Sequence, residues 1–286
     1  MRKKLALRIE SITPEDLYID EHVVASISNA TKQIIEHGTY INPDGDDVYI
    51  DDAQEHARAN TVVYPPHHVI PPPRGKYPEV YAFVHNQTTL TVAHERHKLG
   101  YRVAMVNCAT LADPFISSAK FLRESIIRSS SLTYCIEGAV MDKSAKEALY
   151  DDTIVVTPQV PIFRTHEGDL LRAPWHADVV TAAPIHAVGL NKHAPDLLPE
   201  VPSSMARRAE RLVEAAAATG ANVLVIGAWG CGEYGNEPEL VATVLRDAFT
   251  RPAARSFAIV DLAVADTDHD TPLYQTFAKY FHEKIF

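Results

Sequence analysis

The most constraining feature of this sequence is an alternation of short apolar runs with helical patterns, which begins near residue 79. The apolar runs lie at residues 80–84, 102–107, 153–157, 178–183, 222–227 and 256–262. Such continuous apolar runs are typical of strands covered on both faces in a largely parallel sheet. Helical patterns lie near residues 88–98, 116–130, 203–219, 237–249 and 270–284. Strands alternating with helices predict a three-layer α/β domain with helices on both faces of the sheet.

The first 78 residues have a different pattern. Residues 18–38 read as an amphipathic helix, because Ile27, Ile34 and Ile35 recur near helical spacing and Gly38 is a stop signal. Residues 61–78 are rich in proline, which predicts an extended loop. We therefore expect an N-terminal helical extension with a proline-rich loop over residues 1–78, followed by the main domain over residues 79–286.

Charge and composition exclude several classes of protein. Lysine and arginine number 27 against 37 aspartates and glutamates, so the net charge is −10. General nucleic-acid binding and attraction to anionic membranes both need the opposite balance. No apolar run approaches the ~18 residues of a membrane-spanning helix. The three cysteines are widely spaced, which fits a reducing compartment. We expect a cytoplasmic protein without a membrane partner.

Histidines and cysteines give no metal or nucleophile signature. His94 and His97 lack the spacing of a zincin helix, and no histidine–cysteine group has structural-zinc spacing, so we predict no metal and no cofactor. His186 follows a strand pattern and is a candidate to face a ligand, although surface placement is the simpler interpretation. Cys108 and Cys231 follow strand patterns as well, but nothing in the sequence assigns either of them a histidine partner.

The most informative stretch, residues 226–236, reads Ile-Gly-Ala-Trp-Gly-Cys-Gly-Glu-Tyr-Gly-Asn and joins a strand pattern to a helical one. Free N–H groups of a glycine-rich loop at the start of a helix form a site for a phosphate or diphosphate. Tyr234 adds a flat ring that can stack on a base or sugar. The alternative is a tight strand-to-helix turn without a ligand. The predicted ligand-binding residues of this loop are Gly230, Cys231, Gly232, Glu233, Tyr234, Gly235 and Asn236.

The same glycines permit a rival interpretation. Gly230, Gly232 and Gly235 satisfy the G-x-G-x-x-G pattern of dinucleotide-binding folds, and Asp261 stands roughly where the ribose-binding acid would be. This predicts an NAD-dependent oxidoreductase. The position of the motif argues against it, because the motif normally opens a βαβαβ unit and only one strand pattern follows it here.

Five stretches, taken together, resemble the microbial-type poly(ADP-ribose) glycohydrolases, a branch of the macrodomain superfamily. They are residues 86–89 (Asn-Gln-Thr-Thr), 106–110 (Val-Asn-Cys-Ala-Thr), 124–132 (Glu-Ser-Ile-Ile-Arg-Ser-Ser-Ser-Leu), 157–164 (Thr-Pro-Gln-Val-Pro-Ile-Phe-Arg) and 227–236 (Gly-Ala-Trp-Gly-Cys-Gly-Glu-Tyr-Gly-Asn). The resemblance implies a macrodomain-like mixed sheet. It also implies that residues 230–236 hold the diphosphate and distal ribose of ADP-ribose, with Tyr234 at the family's aromatic position.

The sequence departs from the family after Asn107. There the family has three consecutive glycines and a helix that begins Gly-Ala-x-Ala-Gln-Glu-Glu, whereas residues 113–124 here read Asp-Pro-Phe-Ile-Ser-Ser-Ala-Lys-Phe-Leu-Arg-Glu. The simplest alignment deletes the glycines and places Arg123 and Glu124 at the two glutamates. Glu124 then matches the catalytic glutamate, and Arg123 can supply charge that replaces lost N–H contacts. Asn107 is a further ligand-binding candidate, or else a buried amide that supports the loop.

The leading hypothesis is an ADP-ribosyl glycohydrolase that binds ADP-ribose or an ADP-ribosylated substrate, with Glu124 as the acid/base. Cleavage of a glycosidic bond needs a carboxyl group to transfer the proton and stabilise the oxocarbenium-like charge. The first alternative is an inactive reader that binds ADP-ribose without cleaving it, because the triple glycine is missing. The second alternative is the NAD-dependent oxidoreductase.

Overall fold

The structure is a computed structural model, and it describes residues 6–17, 21–71, 75–108, 125–139, 149–232 and 234–281. Its centre is a seven-stranded sheet in the order β3-β6-β7-β5-β8-β9-β4. The strands are β3 (Val62–Tyr64), β4 (Tyr81–His85), β5 (Val103–Asn107), β6 (Ile154–Arg164), β7 (Leu170–Thr181), β8 (Val223–Gly227) and β9 (Ile259–Ala263). The pairs from β7 to β4 are parallel, whereas β3–β6 and β6–β7 are antiparallel.

Helices cover both faces of this sheet. One face carries α4 (Thr89–Lys98), α5 (Ser125–Ser129) and α6 (Leu132–Cys135), and the other carries α8 (Val201–Ala218), α9 (Pro238–Phe249) and α10 (Pro272–Tyr280). The short helix α7 (Ala187–His193) and two 3₁₀ turns (Pro195–Glu200 and Pro252–Ser256) complete the connections. The predicted three-layer α/β architecture with a mixed, largely parallel sheet is therefore confirmed.

The central strands are buried on both sides because alternate residues face opposite helical layers. In β5, Ala104 and Val106 join the core beneath α8 and α9, whereas Val103 and Met105 join the core beneath α4 and α5. All five residues of β5 are buried. This explains why the sequence shows continuous apolar runs instead of an apolar–polar alternation.

The chain N-terminal to β4 is more structured than the sequence predicts. It contains α1 (Pro14–Leu17), α2 (Glu21–His37), a hairpin of β1 (Thr39–Ile41) and β2 (Asp47–Tyr49), and α3 (Asp51–Ala59). The sequence predicts an extended loop over residues 61–78, but its first residues instead form β3, which pairs with β6 at the edge of the sheet. The proposed boundary between an extension over residues 1–78 and a domain over residues 79–286 stays a prediction.

Helix α2 is attached to the main sheet by buried polar contacts. The Thr31 hydroxyl donates to the carbonyl oxygen of Arg128 in α5 at 2.7 Å and accepts from Arg164 Nε in β6 at 3.0 Å. These contacts fix α2 beside the helix that immediately follows Glu124 in sequence. Within the described residues, no helix is long and apolar enough to cross a membrane.

Candidate functional site

A crevice at the carboxyl ends of β5 and β8 is the natural ligand position in this topology. The two strands are adjacent and parallel, but α5, after β5, packs on one face of the sheet, and α9, after β8, packs on the other. In open α/β sheets, ligands bind where the connections of neighbouring strands diverge in this way. Asn107 ends β5, and the glycine loop, residues 227–236, follows β8.

Two glycines of this loop occupy conformations that other residues rarely adopt. Gly230 and Gly235 have φ angles of +79° and +68°. A Cβ at Gly230 would lie 2.6 Å from Asn236 Nδ2 and from Pro184 Cβ, and one at Gly235 would lie 2.4 Å from Val188 Cγ2. A Cβ at Gly232 would meet nothing within 4 Å. Gly230 and Gly235 are therefore needed for the loop's shape, and Gly232 borders open space.

The loop closes on itself through hydrogen bonds between backbone groups. The Gly235 N–H donates to the Gly232 carbonyl oxygen at 2.9 Å, and the Asn236 N–H donates to the Gly230 carbonyl oxygen at 3.0 Å. Below the loop, Trp229 is fully buried, and its indole N–H donates to the Ala182 carbonyl oxygen at 3.0 Å. Within the part of the chain that the structure describes, the N–H groups of Gly230 and Gly232 have no acceptor.

Asn236 is buried, and its side-chain amide connects both ends of the loop to the neighbouring segment. Its Nδ2 donates to the Ile185 carbonyl oxygen at 2.7 Å and to the Gly230 carbonyl oxygen at 3.0 Å. Its Oδ1 is buried and accepts no hydrogen bond from the described residues. This amide has a clear structural role, and its contact with a ligand stays a prediction.

The other loop residues differ in exposure and chemistry. Tyr234 is half-buried, and its ring meets the His186 ring edge-on, with 5.0 Å between centroids and 61° between planes. Cys231 is partly buried, and burial, followed by the nearby Glu237 charge, raises the pKa of its thiol to about 12. The loop precedes α9, where Pro238 takes the first helical position. Glu233 lies outside the described residues.

Asn107 is fully buried at the end of β5. Its Nδ2 donates to Thr181 Oγ1 in β7 at 3.2 Å, and its carbonyl oxygen accepts from the Ala182 N–H at 3.1 Å. Arg123 and Glu124 lie outside the described residues, as does the whole stretch 109–124 that carries the departure from the family pattern. The ligand-binding and catalytic roles of these three residues stay predictions.

Comparison with known proteins shows which proteins this chain is similar to in sequence and in fold. The model of the microbial-type PARG (poly(ADP-ribose) glycohydrolase) catalytic domain matches residues 28–165. The crystal structure of the poly(ADP-ribose) glycohydrolase from Thermomonospora curvata superposes with a TM-score of 0.79 at 28% identity, over 91% of this chain and 100% of that one. The chain is therefore similar to the microbial-type PARG family in sequence and in fold.

Further structures of poly(ADP-ribose) glycohydrolases also superpose on this chain. The Thermomonospora curvata enzyme bound to the inhibitor ADP-HPD gives a TM-score of 0.78 at 29% identity, over 91% of this chain and 100% of that one. The Deinococcus radiodurans enzyme in complex with ADP-ribose gives 0.73 at 29% identity, over 79% of this chain and 96% of that one. No curated protein matches the sequence significantly. The macrodomain-like fold expected from the resemblance is confirmed.

The structure argues against the oxidoreductase interpretation. Asp261 lies in the middle of β9, fully buried, instead of at a strand end. Its carboxylate accepts from Arg96 Nε at 2.6 Å and pairs with His85 Nε2 at 2.9 Å. Burial alone would raise the pKa of Asp261, but the hydrogen bonds from Arg96 and His85 outweigh burial and lower it. Both carboxylate oxygens accept hydrogen bonds inside the core, so this group is not available to a ribose.

Several other residues that stand out in the sequence have structural contacts. His94 and His97 pack on the Trp175 ring, with centroids at 5.0 and 5.2 Å, and burial lowers the pKa of both. Gln159, within one of the family-like stretches, has a φ of +52° at a register shift in β6, and its N–H donates to Asp178 at 3.1 Å. Among the described residues, no group of three or more metal-ligating side chains comes together.

The sequence does not indicate the segment that supports the glycine loop. Residues 184–188 follow β7 and include the first two residues of α7, and they contact the loop at Gly230, Tyr234, Gly235 and Asn236. From the sequence, His186 is the only residue of this segment considered as a ligand-facing candidate, because it follows a strand pattern. No local motif marks the segment, because its contacts are with residues about fifty positions further along the chain.

Proposed function

We propose that this chain binds ADP-ribose units in the crevice between β5 and β8 and hydrolyses the glycosidic bond that joins ADP-ribose to a modified substrate. The observation that carries the proposal is the glycine loop at the point where the connections of β5 and β8 diverge, in a chain whose residues 28–165 match the microbial-type PARG catalytic domain. The poly(ADP-ribose) glycohydrolase structures that superpose on the chain include one with ADP-ribose and one with the inhibitor ADP-HPD.

The loop chemistry supports a diphosphate ligand. The N–H groups of Gly230 and Gly232 donate to no acceptor within the described residues, and Gly232 is exposed beside open space. Backbone N–H groups at the start of a helix favour a phosphate electrostatically, and α9 begins directly after this loop. Tyr234 offers a half-buried ring at the same position for a ribose.

Glu124 is the proposed acid/base. It directly precedes α5 in the sequence, and the five residues of α5 are all buried on one face of the sheet. Hydrolysis requires a carboxyl group that transfers a proton and stabilises the positive charge that develops on the ribose. Asn107 and Arg123 are proposed to contact the ligand, Arg123 in place of part of the missing glycine backbone.

The inactive reader is the second candidate, and one sequence feature favours it. No glycine occurs between residues 101 and 137, so the consecutive glycines of the family have no counterpart after β5. Side chains restrict the backbone angles that allow a main chain to approach a diphosphate closely. A reader would bind ADP-ribose through the glycine loop and leave the glycosidic bond intact.

Binding and turnover measured on the same protein separate these functions. We expect calorimetric titration to give micromolar ADP-ribose binding, with much weaker binding of AMP and NADH. We expect release of ADP-ribose from poly(ADP-ribose), and loss of that release in Glu124→Gln with binding retained. Binding without release supports the reader, and selective NADH binding supports the oxidoreductase. If none of the three ligands binds, the proposal is wrong.

We also infer a cytoplasmic location. Cys108, Cys135 and Cys231, all of them described residues, form no disulfide bond, which fits a compartment kept reducing by glutathione and thioredoxin.

A further inference from the structure

The segment 184–188, which we call the supporting segment, contacts the glycine loop along most of its own length. Pro184 lies against Gly230, and the Ile185 carbonyl oxygen accepts from Asn236 Nδ2 at 2.7 Å. The Val188 N–H donates to the Tyr234 carbonyl oxygen at 3.1 Å, and the Val188 side chain lies against Gly235. The loop therefore takes its shape partly from a segment that is distant in sequence.

His186 is the member of this segment that contacts an aromatic ring of the loop. Its Nδ1 accepts from the Gly189 N–H at 2.9 Å, as the N-cap of α7. This bond fixes the orientation of the imidazole relative to α7. The ring then meets Tyr234 edge-on with 5.0 Å between centroids, a favourable geometry for two aromatic rings.

We propose that His186 is a positioning residue, which holds the Tyr234 ring in its ligand-binding orientation before ADP-ribose arrives. The inference rests on the proposed function, in which Tyr234 contacts the ribose. A ring that is already held loses less conformational freedom on binding, so the free energy of binding is more favourable. Without the imidazole, Tyr234 loses this edge-on ring contact, within a loop that has exposed glycines on both sides. The backbone contacts of Val188 and Ile185 do not restrain its ring.

Two substitutions separate the ring contact of His186 from its capping bond. The Asn side chain in His186→Asn can accept from the Gly189 N–H, because asparagine is a good N-cap, but it has no ring. His186→Phe keeps a ring against Tyr234 and removes the acceptor. We expect His186→Asn to weaken ADP-ribose binding about fivefold and His186→Phe to stay within about twofold of wild type. The reverse order would mean that the cap matters and the ring does not, and would overturn the proposal.

A second comparison tests whether His186 acts through Tyr234. We expect His186→Asn to weaken binding by less than about 1.5-fold when Tyr234→Ala is already present, because the ring to be positioned is gone. An equal fivefold loss in both backgrounds would show that His186 contacts the ligand itself or supports the fold in general, and would overturn the positioning role. Thermal melting of each variant confirms that it is folded.

The wild-type titration distinguishes this inference from the function on which it rests. If wild type fails to bind ADP-ribose, both the proposed function and the positioning role are wrong. If wild type binds and the His186 variants bind equally well, only the positioning role is wrong.

Discussion

Arg96 of α4 and Asp261 of β9 form a fully buried ion pair in the centre of the protein. The guanidinium donates from Nε to one carboxylate oxygen at 2.6 Å and from a terminal nitrogen to the other at 2.8 Å, and neither side chain is exposed. His85 Nε2 contacts the same carboxylate at 2.9 Å. Through these three contacts with two residues, the Asp261 carboxylate joins α4, β4 and β9 in one network.

We expect Arg96→Leu to lower the free energy of unfolding by about 3–5 kcal/mol, because it leaves the Asp261 carboxylate buried without its main partner. Urea denaturation measures the change. The matched control is Lys98→Leu on the same helix, whose ion pair with Glu95 is exposed and should cost about 0–1 kcal/mol. Adding Asp261→Asn to Arg96→Leu should recover part of the loss. Equal effects of Arg96→Leu and the control would contradict a stabilising role of the pair.

His166 should make stability depend on pH between about 4 and 6.5. Burial, and next the nearby Arg128 guanidinium, lower the pKa of His166 from 6.5 to about 4. In this interval the unfolded chain binds a proton that the folded chain does not, so stability falls as the pH is lowered from 6.5 to 4. The shift corresponds to about 3 kcal/mol.

Unfolding free energies measured from pH 7 to pH 4 test this prediction. His166→Gln should flatten the dependence by about the same 3 kcal/mol, whereas His269→Gln, at a side chain that is 97% exposed, should not change it. If His166→Gln retains the wild-type slope, another group titrates in this interval.

Local patterns predict six of the seven strands of the main sheet, β4 to β9, and most helices, because the apolar residues that each element buries lie within its own sequence. Helix α8, predicted over residues 203–219, spans Val201–Ala218 and is followed by Gly220 at a φ of +80°. The hairpin of β6 and β7 extends beyond the apolar runs that predict it. The sequence does not indicate this extension, because Pro158 and Pro161 lack the N–H groups expected of a strand. The three-residue strands β1, β2 and β3 are too short to show any periodicity.

The candidate site is predictable only where its residues follow one another in the chain. The glycine loop is visible as a motif, whereas the supporting segment is not, because Ile185 meets Asn236 across 51 positions. Asp261 shows the opposite failure: its position after the glycine motif suggests a ribose-binding acid, but it lies in the middle of β9, where it is fully buried.

Matched alanine substitutions test the two kinds of glycine in the loop. We expect Gly230→Ala to lower the free energy of unfolding by about 1–3 kcal/mol, because its φ is +79° and the new Cβ would lie 2.6 Å from Pro184 and Asn236. Gly232→Ala should change stability by less than about 0.5 kcal/mol, since a Cβ there meets nothing within 4 Å.

Ligand binding by the same two variants gives the second measurement. If a diphosphate occupies the open space beside Gly232, Gly232→Ala should weaken ADP-ribose binding although its stability is unchanged. Normal binding by Gly232→Ala would mean that the ligand does not approach this residue closely.

The Cys231 thiol should be unreactive towards alkylating reagents, although it lies in the glycine loop. A thiol whose pKa is raised to about 12 by burial carries almost no thiolate at pH 8, and the thiolate is the nucleophile. We expect mass spectrometry after iodoacetamide treatment at pH 8 to find Cys231 unmodified in the folded protein and modified after denaturation. Cys135, buried and with its pKa also raised to about 12, is the internal comparison and should behave in the same way.

Cys231→Ala should then retain ADP-ribose release within about threefold of wild type, because the substitution removes only a small part of the packing beneath the loop. Abolished release together with normal ADP-ribose binding would instead identify Cys231 as a nucleophile and would displace Glu124 from its proposed role.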